Sequence, residues 1–316
     1  MSLQYLPVNL FASVMGVSGL CLAWRQASRQ FGSSPWIDAA VGGLAVAVFL
    51  LLCAAYAAKV ALHPQAVQKE FRHPIAGNFF GTISIAVLLI SSVVAPLSAG
   101  ASQALWVLGS ASTIALAFTL VSRLLRGKVD LGHALPAWLI PGVATLDIVV
   151  AGGAAPQAWA RELNLFSLAV GAMVALVFFT MIMSRLIHHQ EKLASEMVPS
   201  LMILVAPFEV GFLAYTNFFQ CVDTFAAMLF YFGLFIFLAL VFKVFRRGIP
   251  FAVGWWALSF PLAALSNAAL RYAQHVRWLP ATVFALAMLA FLSVLIAVLL
   301  VRTTRILLDG RLLGPR

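Results

Sequence analysis

The segment LPATVFALAMLAFLSVLIAVLLVR, residues 279–302, runs for 23 residues before its first charged side chain, Arg302. A helix that crosses the hydrocarbon core of a bilayer needs about 20 consecutive, mostly apolar residues, so this segment predicts a transmembrane helix. The composition extends that interpretation to the whole chain. Of the 316 residues, 63% are hydrophobic and 9% are charged, and the mean hydropathy is +1.01. Soluble domains are roughly half apolar and about a quarter charged, so a water-soluble globular protein is excluded.

Nine further segments of this kind precede the first one quoted, and short polar or charged connections separate them. We predict ten spans in a single transmembrane domain over residues 1–316, which leaves little chain for a separate soluble domain. The predicted spans are residues 6–24, 37–61, 75–97, 102–124, 135–152, 164–187, 198–217, 224–245, 251–272 and 280–301.

The net charge of +10 has a topological explanation. Fifteen of the twenty lysines and arginines follow even-numbered spans, and five follow odd-numbered spans. Because lysine and arginine concentrate in cytoplasmic loops, this asymmetry predicts that both chain termini are cytoplasmic. The basic residues occur one to three at a time and collect on no face, so the charge does not indicate nucleic-acid binding.

A proline opens or immediately precedes each odd-numbered span. The intervals between these prolines are 67, 62, 63 and 51 residues, each about the length of one helical hairpin, and the residues are Pro7, Pro74, Pro136, Pro199 and Pro250. Proline is favoured in the first turn of a helix, and a regular interval indicates a repeated supersecondary unit. We predict five hairpins, each made of an odd-numbered and an even-numbered helix.

The odd-numbered spans also differ from the even-numbered spans in composition. They hold small and polar residues and three further prolines, Pro141, Pro207 and Pro261, whereas the even-numbered spans are plainer runs of Leu, Val, Phe and Ala. An interior proline kinks a helix, and lipid cannot satisfy the carbonyl that it frees. The odd-numbered spans are therefore predicted to form an inner ring and the even-numbered spans a lipid-facing ring. The candidate pore-lining residues are Ala12, Gly16, Asn78, Thr82, Gly142, Thr145, Pro207, Gly211 and Ala264.

Two acidic residues, Asp147 and Glu209, lie deep inside predicted spans. They follow the prolines that open spans 5 and 7 by eleven and ten residues, which places them about 15 Å into the membrane. A carboxyl group at that depth is costly and usually faces a cavity or a partner. Two interpretations stay open: a pore or proton-relay group, or a neutral carboxylic acid that ties helices together.

Phe260 is predicted at the same depth, ten residues after Pro250 and directly before Pro261. It is either one of 25 phenylalanines that pack in lipid or a hydrophobic plug where a pore narrows. No lysine or arginine is predicted deep in a span. Arg271, near the end of span 9, is predicted to be too shallow to pair with Asp147 or Glu209.

Enzymatic chemistry finds no support in the sequence. The six histidines fall at span ends or in loops without metal-ligand spacing, and GxSxG, P-loop and GxGxxG motifs are absent. We therefore predict no enzyme activity, no metal site and no cofactor.

Several short motifs, in this order and spacing, resemble the tellurite-resistance/dicarboxylate transporter family, which includes the bacterial TehA proteins and the slow anion channel of plant guard cells. The resemblance covers about residues 5–313. It rests on Leu6-Pro7 with Gly16, Leu22-Ala23-Trp24-Arg25, Arg72-His73-Pro74, Leu135-Pro136, Leu204-Val205-Ala206-Pro207, Val222-Asp223-Thr224 and Trp256-Ala257-x-Ser259-Phe260.

The resemblance implies ten helices in five hairpins around a quasi-five-fold central pore, assembled as a homotrimer with one pore per protomer in a bacterial inner (cytoplasmic) membrane. It implies that small inorganic anions pass through a passive channel, or that dicarboxylates are moved by a carrier in some members, with Phe260 at the position of the family's occluding phenylalanine. The alternative is a proton-coupled C4-dicarboxylate (malate-type) or tellurite/oxyanion transporter in which Asp147 or Glu209 titrates. A structural membrane protein without a flux of its own is a third hypothesis.

Overall fold

The computed structural model describes residues 2–127, 130–155, 157–188 and 193–314, and every regular element within those ranges is helical. Three of the basic residues that were counted for the orientation lie outside these ranges: Lys128, Lys192 and Arg316.

Nine helices in the described ranges are long and apolar enough to cross a membrane, and a tenth apolar helix, span 5, is shorter. Span 5 consists of four residues of 3₁₀ helix and thirteen of α-helix. A 3₁₀ helix rises about 2 Å per residue and an α-helix about 1.5 Å, so span 5 is about 27 Å long. The predicted all-α membrane fold is confirmed. In chain order, spans 1 to 10 are Val8–Phe31, Pro35–Leu62, Ala76–Val94, Ala99–Leu125, Pro136–Gly152, Ala158–His188, Ser195–Phe219, Thr224–Val244, Val253–Val276 and Leu279–Leu308.

The odd-numbered spans form a closed inner ring. Span 1 packs against spans 3 and 9, and spans 5 and 7 complete the circle, each packing against its two neighbours. Each even-numbered span packs against the odd-numbered span before it, as the five-hairpin pattern predicts. The most apolar 18-residue stretch is two thirds or more buried in spans 1, 3, 7 and 9, against one third or less in the even-numbered spans. Span 5 is buried along nearly all of its α-helical part.

Every inner span begins as a 3₁₀ helix and continues as an α-helix. The prolines predicted to kink helix interiors lie at this junction, because Pro141 and Pro207 are the second residues of their α-helical parts and Pro261 is the third. The fixed φ angle of proline suits the first turn of an α-helix, so these prolines mark a change of helix type. The 3₁₀ segments are Val8–Phe11, Ala76–Phe80, Pro136–Leu139, Ser195–Val205 and Val253–Leu258.

A short helix, Pro64–Arg72, joins span 2 to span 3 where the sequence indicated only a polar connection. Its Glu70 accepts hydrogen bonds from the Val8 N–H at 2.8 Å and from the Lys59 ammonium at 2.6 Å. Lys59 also donates to the Leu6 carbonyl at 2.7 Å. These bonds fasten the start of span 1 to the end of span 2.

Candidate functional site

Two cavities lie inside the inner ring, and residues of all five inner spans line each of them. The large cavity has a volume of about 780 Å³ and lies at the carboxyl ends of the inner spans. The small cavity has a volume of about 30 Å³ and lies near the junctions between 3₁₀ and α-helix. The first volume is that of a typical small-molecule site, whereas the second holds roughly one or two water molecules.

Phe260 lies at the boundary between the two cavities. Among the described residues it is the only one that lines both, and its side chain is buried. Beyond it, Ala264, Asn267 and Arg271 continue the wall of the large cavity along span 9. This spacing of three or four residues keeps the side chains on one face of the helix.

On each of the other four inner spans, the lining of the small cavity also gives way to that of the large cavity within about one helical turn. On spans 1, 3, 5 and 7 the small cavity ends at Met15, Ile85, Val143 and Ala206, respectively. The large cavity begins four residues later on each span, at Gly19, Leu89, Asp147 and Val210. Together with Ala264, these four residues are called the first ring beyond Phe260. Asp147 is its one polar side chain.

A close contact between spans 1 and 9 holds the backbone at Phe260. Ser259 donates a hydrogen bond to the Trp256 carbonyl at 2.7 Å, and its hydroxyl lies 3.3 Å from the Ala12 carbonyl. Gly16 faces Ser259 so closely that a Cβ atom at Gly16 would lie 2.6 Å from the Cβ of Ser259. The glycine therefore permits the approach of the two helices next to Phe260.

The two intramembrane acids occupy different environments. Asp147 is 1% exposed and lines the large cavity, and its Oδ2 atom has no hydrogen-bond partner among the described residues. Glu209 is fully buried against Gly233 of span 8, lines neither cavity, and has no partner for either oxygen in the same part of the chain. Of the two, only Asp147 is placed to meet a solute on the axis of the ring.

Arginines line the large cavity, although the sequence indicated no basic group in the pore. Arg25 forms an ion pair with Asp38 at 3.2 Å and donates to the carbonyls of Ser92 and Val93 at 2.8 and 2.9 Å. These carbonyls belong to the last turn of span 3. The guanidinium therefore offsets the negative end of the helix dipole of span 3.

Arg271 has the same relation to span 7. Its guanidinium donates to the side-chain oxygen of Asn217 and to the carbonyl of Thr216, the latter at 3.0 Å. Asn217 in turn donates to the Val150 carbonyl of span 5 at 2.7 Å. No ion pair within 4.0 Å joins Arg271 to either intramembrane acid in the described chain, but the guanidinium reaches the cavity that Asp147 also lines.

The helix dipoles explain why these arginines matter. The carboxyl ends of all five inner spans surround the large cavity, and each such end carries the equivalent of about half a negative charge. Without counter-charges, the large cavity would repel anions. Three arginines line its wall: Arg29 and Arg271 supply positive charge there, whereas the charge of Arg25 is balanced by Asp38.

The nine predicted pore-lining residues fall into two groups. Ala12 and Thr82 line the small cavity and Ala264 lines the large one. The other six line neither cavity in the described chain: Gly16, Asn78, Gly142, Thr145, Pro207 and Gly211. Several of these six face an outer span, since Gly142 and Thr145 meet span 6 and Gly211 faces span 8. Some small residues of the inner spans therefore allow close packing against an outer span, whereas others face the axis of the ring.

The sequence of this chain has counterparts among known proteins. The family of voltage-dependent anion channels named SLAC1 matches residues 5–304, which include nearly all of the ten spans. The chain belongs to the SLAC1 family. The resemblance drawn from the sequence motifs is thereby confirmed.

Similar proteins within the SLAC1 family come from plants and bacteria. The S-type anion channel SLAH3 of Arabidopsis thaliana is 26% identical over 307 residues, which cover 94% of this chain and 48% of the plant protein. The Tellurite resistance protein TehA homolog of Haemophilus influenzae is 25% identical over 311 residues, which cover 97% of this chain and 92% of the bacterial protein. The guard cell S-type anion channel SLAC1 of Arabidopsis thaliana is 25% identical over 313 residues, 94% of this chain and 55% of that protein. The chain thus spans about half the length of these plant relatives.

Sequence reasoning missed Arg25 and Arg271 as cavity residues, although a signal for each was present. Arg271 follows Phe260 by eleven residues, about three helical turns, and so continues the face that Phe260 begins. Arg25 closes the motif Leu22-Ala23-Trp24-Arg25 at the end of span 1.

Proposed function

We propose that this member of the SLAC1 family is a passive anion channel whose pore runs between the five inner spans and is occluded by Phe260. The observation that carries the proposal is the position of Phe260, the one residue of the described chain that lines both cavities. Relatives described as S-type anion channels support anions as the class of solute.

A phenylalanine at this position closes a pore in two ways. Its ring fills the space between the cavities, and the small cavity beside it is lined by apolar side chains apart from Thr82. An ion in a narrow apolar segment loses hydration without a substitute, and such a segment also excludes water. Opening therefore requires that the Phe260 ring leave the axis.

Selectivity for anions follows from the charges on the wall of the large cavity. Arg29 and Arg271 raise the local concentration of anions, whereas the charge of Arg25 is balanced by Asp38. A positive potential of this kind favours anions over cations without binding any one anion tightly. Anions can therefore pass quickly, as a passive channel requires.

The proposal includes the orientation of the protein, its membrane and its assembly. The asymmetry of lysine and arginine supports cytoplasmic termini, so that the large cavity opens on the opposite side of the membrane. The near full-length likeness to the TehA homolog of Haemophilus influenzae supports a bacterial inner membrane. We take the whole chain as one transmembrane domain and its assembly as a homotrimer with one pore per protomer.

The test is the anion current of Phe260→Ala in planar bilayers under voltage clamp, in chloride and in nitrate. We expect a current about tenfold or more above that of the wild type, because the variant removes the steric and apolar block. Phe230→Ala is the matched control, since Phe230 is also buried but lines neither cavity in the described chain. An equal current in all three proteins contradicts the gate, and a cation-selective current contradicts the anion channel.

A proton-coupled transporter of C4-dicarboxylates or oxyanions is the second candidate, and the position of Asp147 favours it. A buried carboxyl group on the wall of a cavity of about 780 Å³ can exchange a proton beside a solute of the size of malate. In liposomes this candidate requires that a proton gradient drive malate uptake and that Asp147→Asn abolish the coupling. The channel requires instead that flux follow the voltage and ignore the proton gradient.

A further inference from the structure

We infer that the large cavity contains an anion site between Asp147 and Arg271 that favours oxyanions carrying an O–H group over halides and over oxyanions without one. Hydrogencarbonate is the simplest such anion, and hydroxycarboxylates such as glycolate belong to the same class. The inference rests on the proposed anion pore and adds to it a substrate class and the residues that recognise it.

Asp147 is the polar member of the first ring beyond Phe260. Gly19, Leu89, Val210 and Ala264, the other members of the first ring beyond Phe260, offer no polar side chain. A solute that passes Phe260 therefore meets one polar side chain in that ring, the carboxyl group of Asp147. At this level the aspartate alone can discriminate between anions by hydrogen bonding.

Arg271 lies on the same cavity wall, nearer to its mouth. Its guanidinium binds Asn217, and Asn217 binds the Val150 carbonyl. Val150 is three residues after Asp147, about 5 Å farther along span 5. Arg271 therefore lies about one helical turn beyond Asp147, toward the mouth of the large cavity.

Asp147 and Arg271 do not contact each other. Both line the large cavity, yet no ion pair within 4.0 Å joins them in the described ranges, and the Oδ2 atom of Asp147 has no partner there. Among the described residues, two of the five N–H groups of the Arg271 guanidinium have a hydrogen-bond acceptor, namely Asn217 and Thr216. A buried polar atom without a partner is costly, and a small bound anion at this place would satisfy both residues.

The chemistry of the two groups selects the ligand. The charged oxygens of an oxyanion match the planar donors of the guanidinium, while the O–H group donates to the carboxylate of Asp147. A halide has no donor and meets the carboxylate as a like charge. The carbonyl oxygen of a neutral carboxyl group or of an amide accepts the same O–H group more weakly, because that hydrogen bond is not charge-assisted.

Glu209 provides a matched comparison within the same molecule. It is a second buried carboxyl group of an inner span, and its oxygens also lack a partner among the described residues. It lies against Gly233 and lines neither cavity. Replacing it with glutamine repeats the chemical change of Asp147→Asn away from the axis.

The experiment measures reversal potentials of the full-length chain in planar bilayers, with Phe260→Ala as the conducting background. Formate faces hydrogencarbonate in one pair of solutions and acetate faces glycolate in the other, so each pair differs by one O–H group at constant charge. We expect the background protein to prefer the hydroxyl-bearing anion in both pairs. Added Asp147→Asn should lower that preference about tenfold, the factor expected for one lost charge-assisted hydrogen bond, and added Glu209→Gln should leave it unchanged.

A background protein without anion current contradicts the proposed channel. An anion current whose permeability ratios are the same with and without Asp147→Asn contradicts the site alone, as does an equal loss in Glu209→Gln. If Asp147→Asn does not fold, Arg271→Lys decides, because it keeps the charge but loses the planar fork; preserved ratios in that variant contradict the site.

Discussion

Residues of the same five inner helices line the two cavities on either side of Phe260, yet the two linings differ in polarity. The small cavity of about 30 Å³ is apolar apart from Thr82. The large cavity of about 780 Å³ carries three arginines, Asp147 and two asparagines. The change occurs within four residues on every inner span, so a shift of one helical turn separates an apolar constriction from a charged vestibule.

This difference separates two tasks that a pore has to perform. The small cavity together with Phe260 decides whether an ion passes, because an apolar constriction acts through size and dewetting. The large cavity decides which ions collect, because charges act over the Debye length of about 10 Å at 0.1 M salt. Substitutions near the small cavity should therefore change the amount of current, and substitutions in the large cavity should change its dependence on ion and salt.

The largest effect should come from Gly16→Ala, which acts at the boundary itself. The new Cβ atom would lie 2.6 Å from the Cβ of Ser259, so spans 1 and 9 must separate beside Phe260. Overpacking of this kind costs roughly 1–3 kcal/mol. We expect a lower midpoint of thermal unfolding in detergent and a raised basal anion current.

A double variant tests the cause of that effect. Ser259→Gly removes the side chain that the new methyl group meets, so Gly16→Ala with Ser259→Gly should recover most of the thermal stability lost in Gly16→Ala. Gly43→Ala is the matched control, because a Cβ atom at that glycine has open space around it. An unchanged unfolding midpoint in Gly16→Ala would show that the two spans do not approach as closely as described.

A smaller effect should come from Arg29→Gln, which lowers the charge of the large cavity. Arg29 lines that cavity and is exposed. In the Phe260→Ala background we expect a current about twofold lower in dilute salt and no difference at 1 M salt, where the Debye length is about 3 Å. Arg305→Gln at the far end of span 10, exposed and lining neither cavity in the described chain, is the control. A twofold loss that persists at 1 M salt would mean that Arg29 does not act through its long-range field.

The architecture could be predicted from the sequence because lipid imposes strict requirements on it. Each span needs about 20 apolar residues, and the repeated prolines divide the spans into five pairs. Counting residues after Pro250 also yields a predicted depth for Phe260. The roles of the small residues could not be predicted in this way, since Gly142 and Ala264 are both small residues of inner spans, and one packs on span 6 while the other lines the large cavity. What decides between these two roles is the rotation of each helix about its own axis. The amino-acid composition of a span does not determine that rotation.

The smallest effect should come from Thr82→Val, which removes the one hydroxyl group of the small cavity and keeps the shape of the side chain. The Thr82 hydroxyl donates to the Phe79 carbonyl at 2.6 Å, so its proton is already used by the backbone of the same span. In the Phe260→Ala background we expect a change in current of less than about twofold and unchanged permeability ratios between chloride, nitrate and formate, since a constriction that acts by size and dewetting does not need this group. A shifted nitrate-to-chloride ratio would place an anion contact inside the small cavity and remove the division of tasks between the two cavities. An unchanged ratio leaves discrimination to the charged groups beyond Phe260.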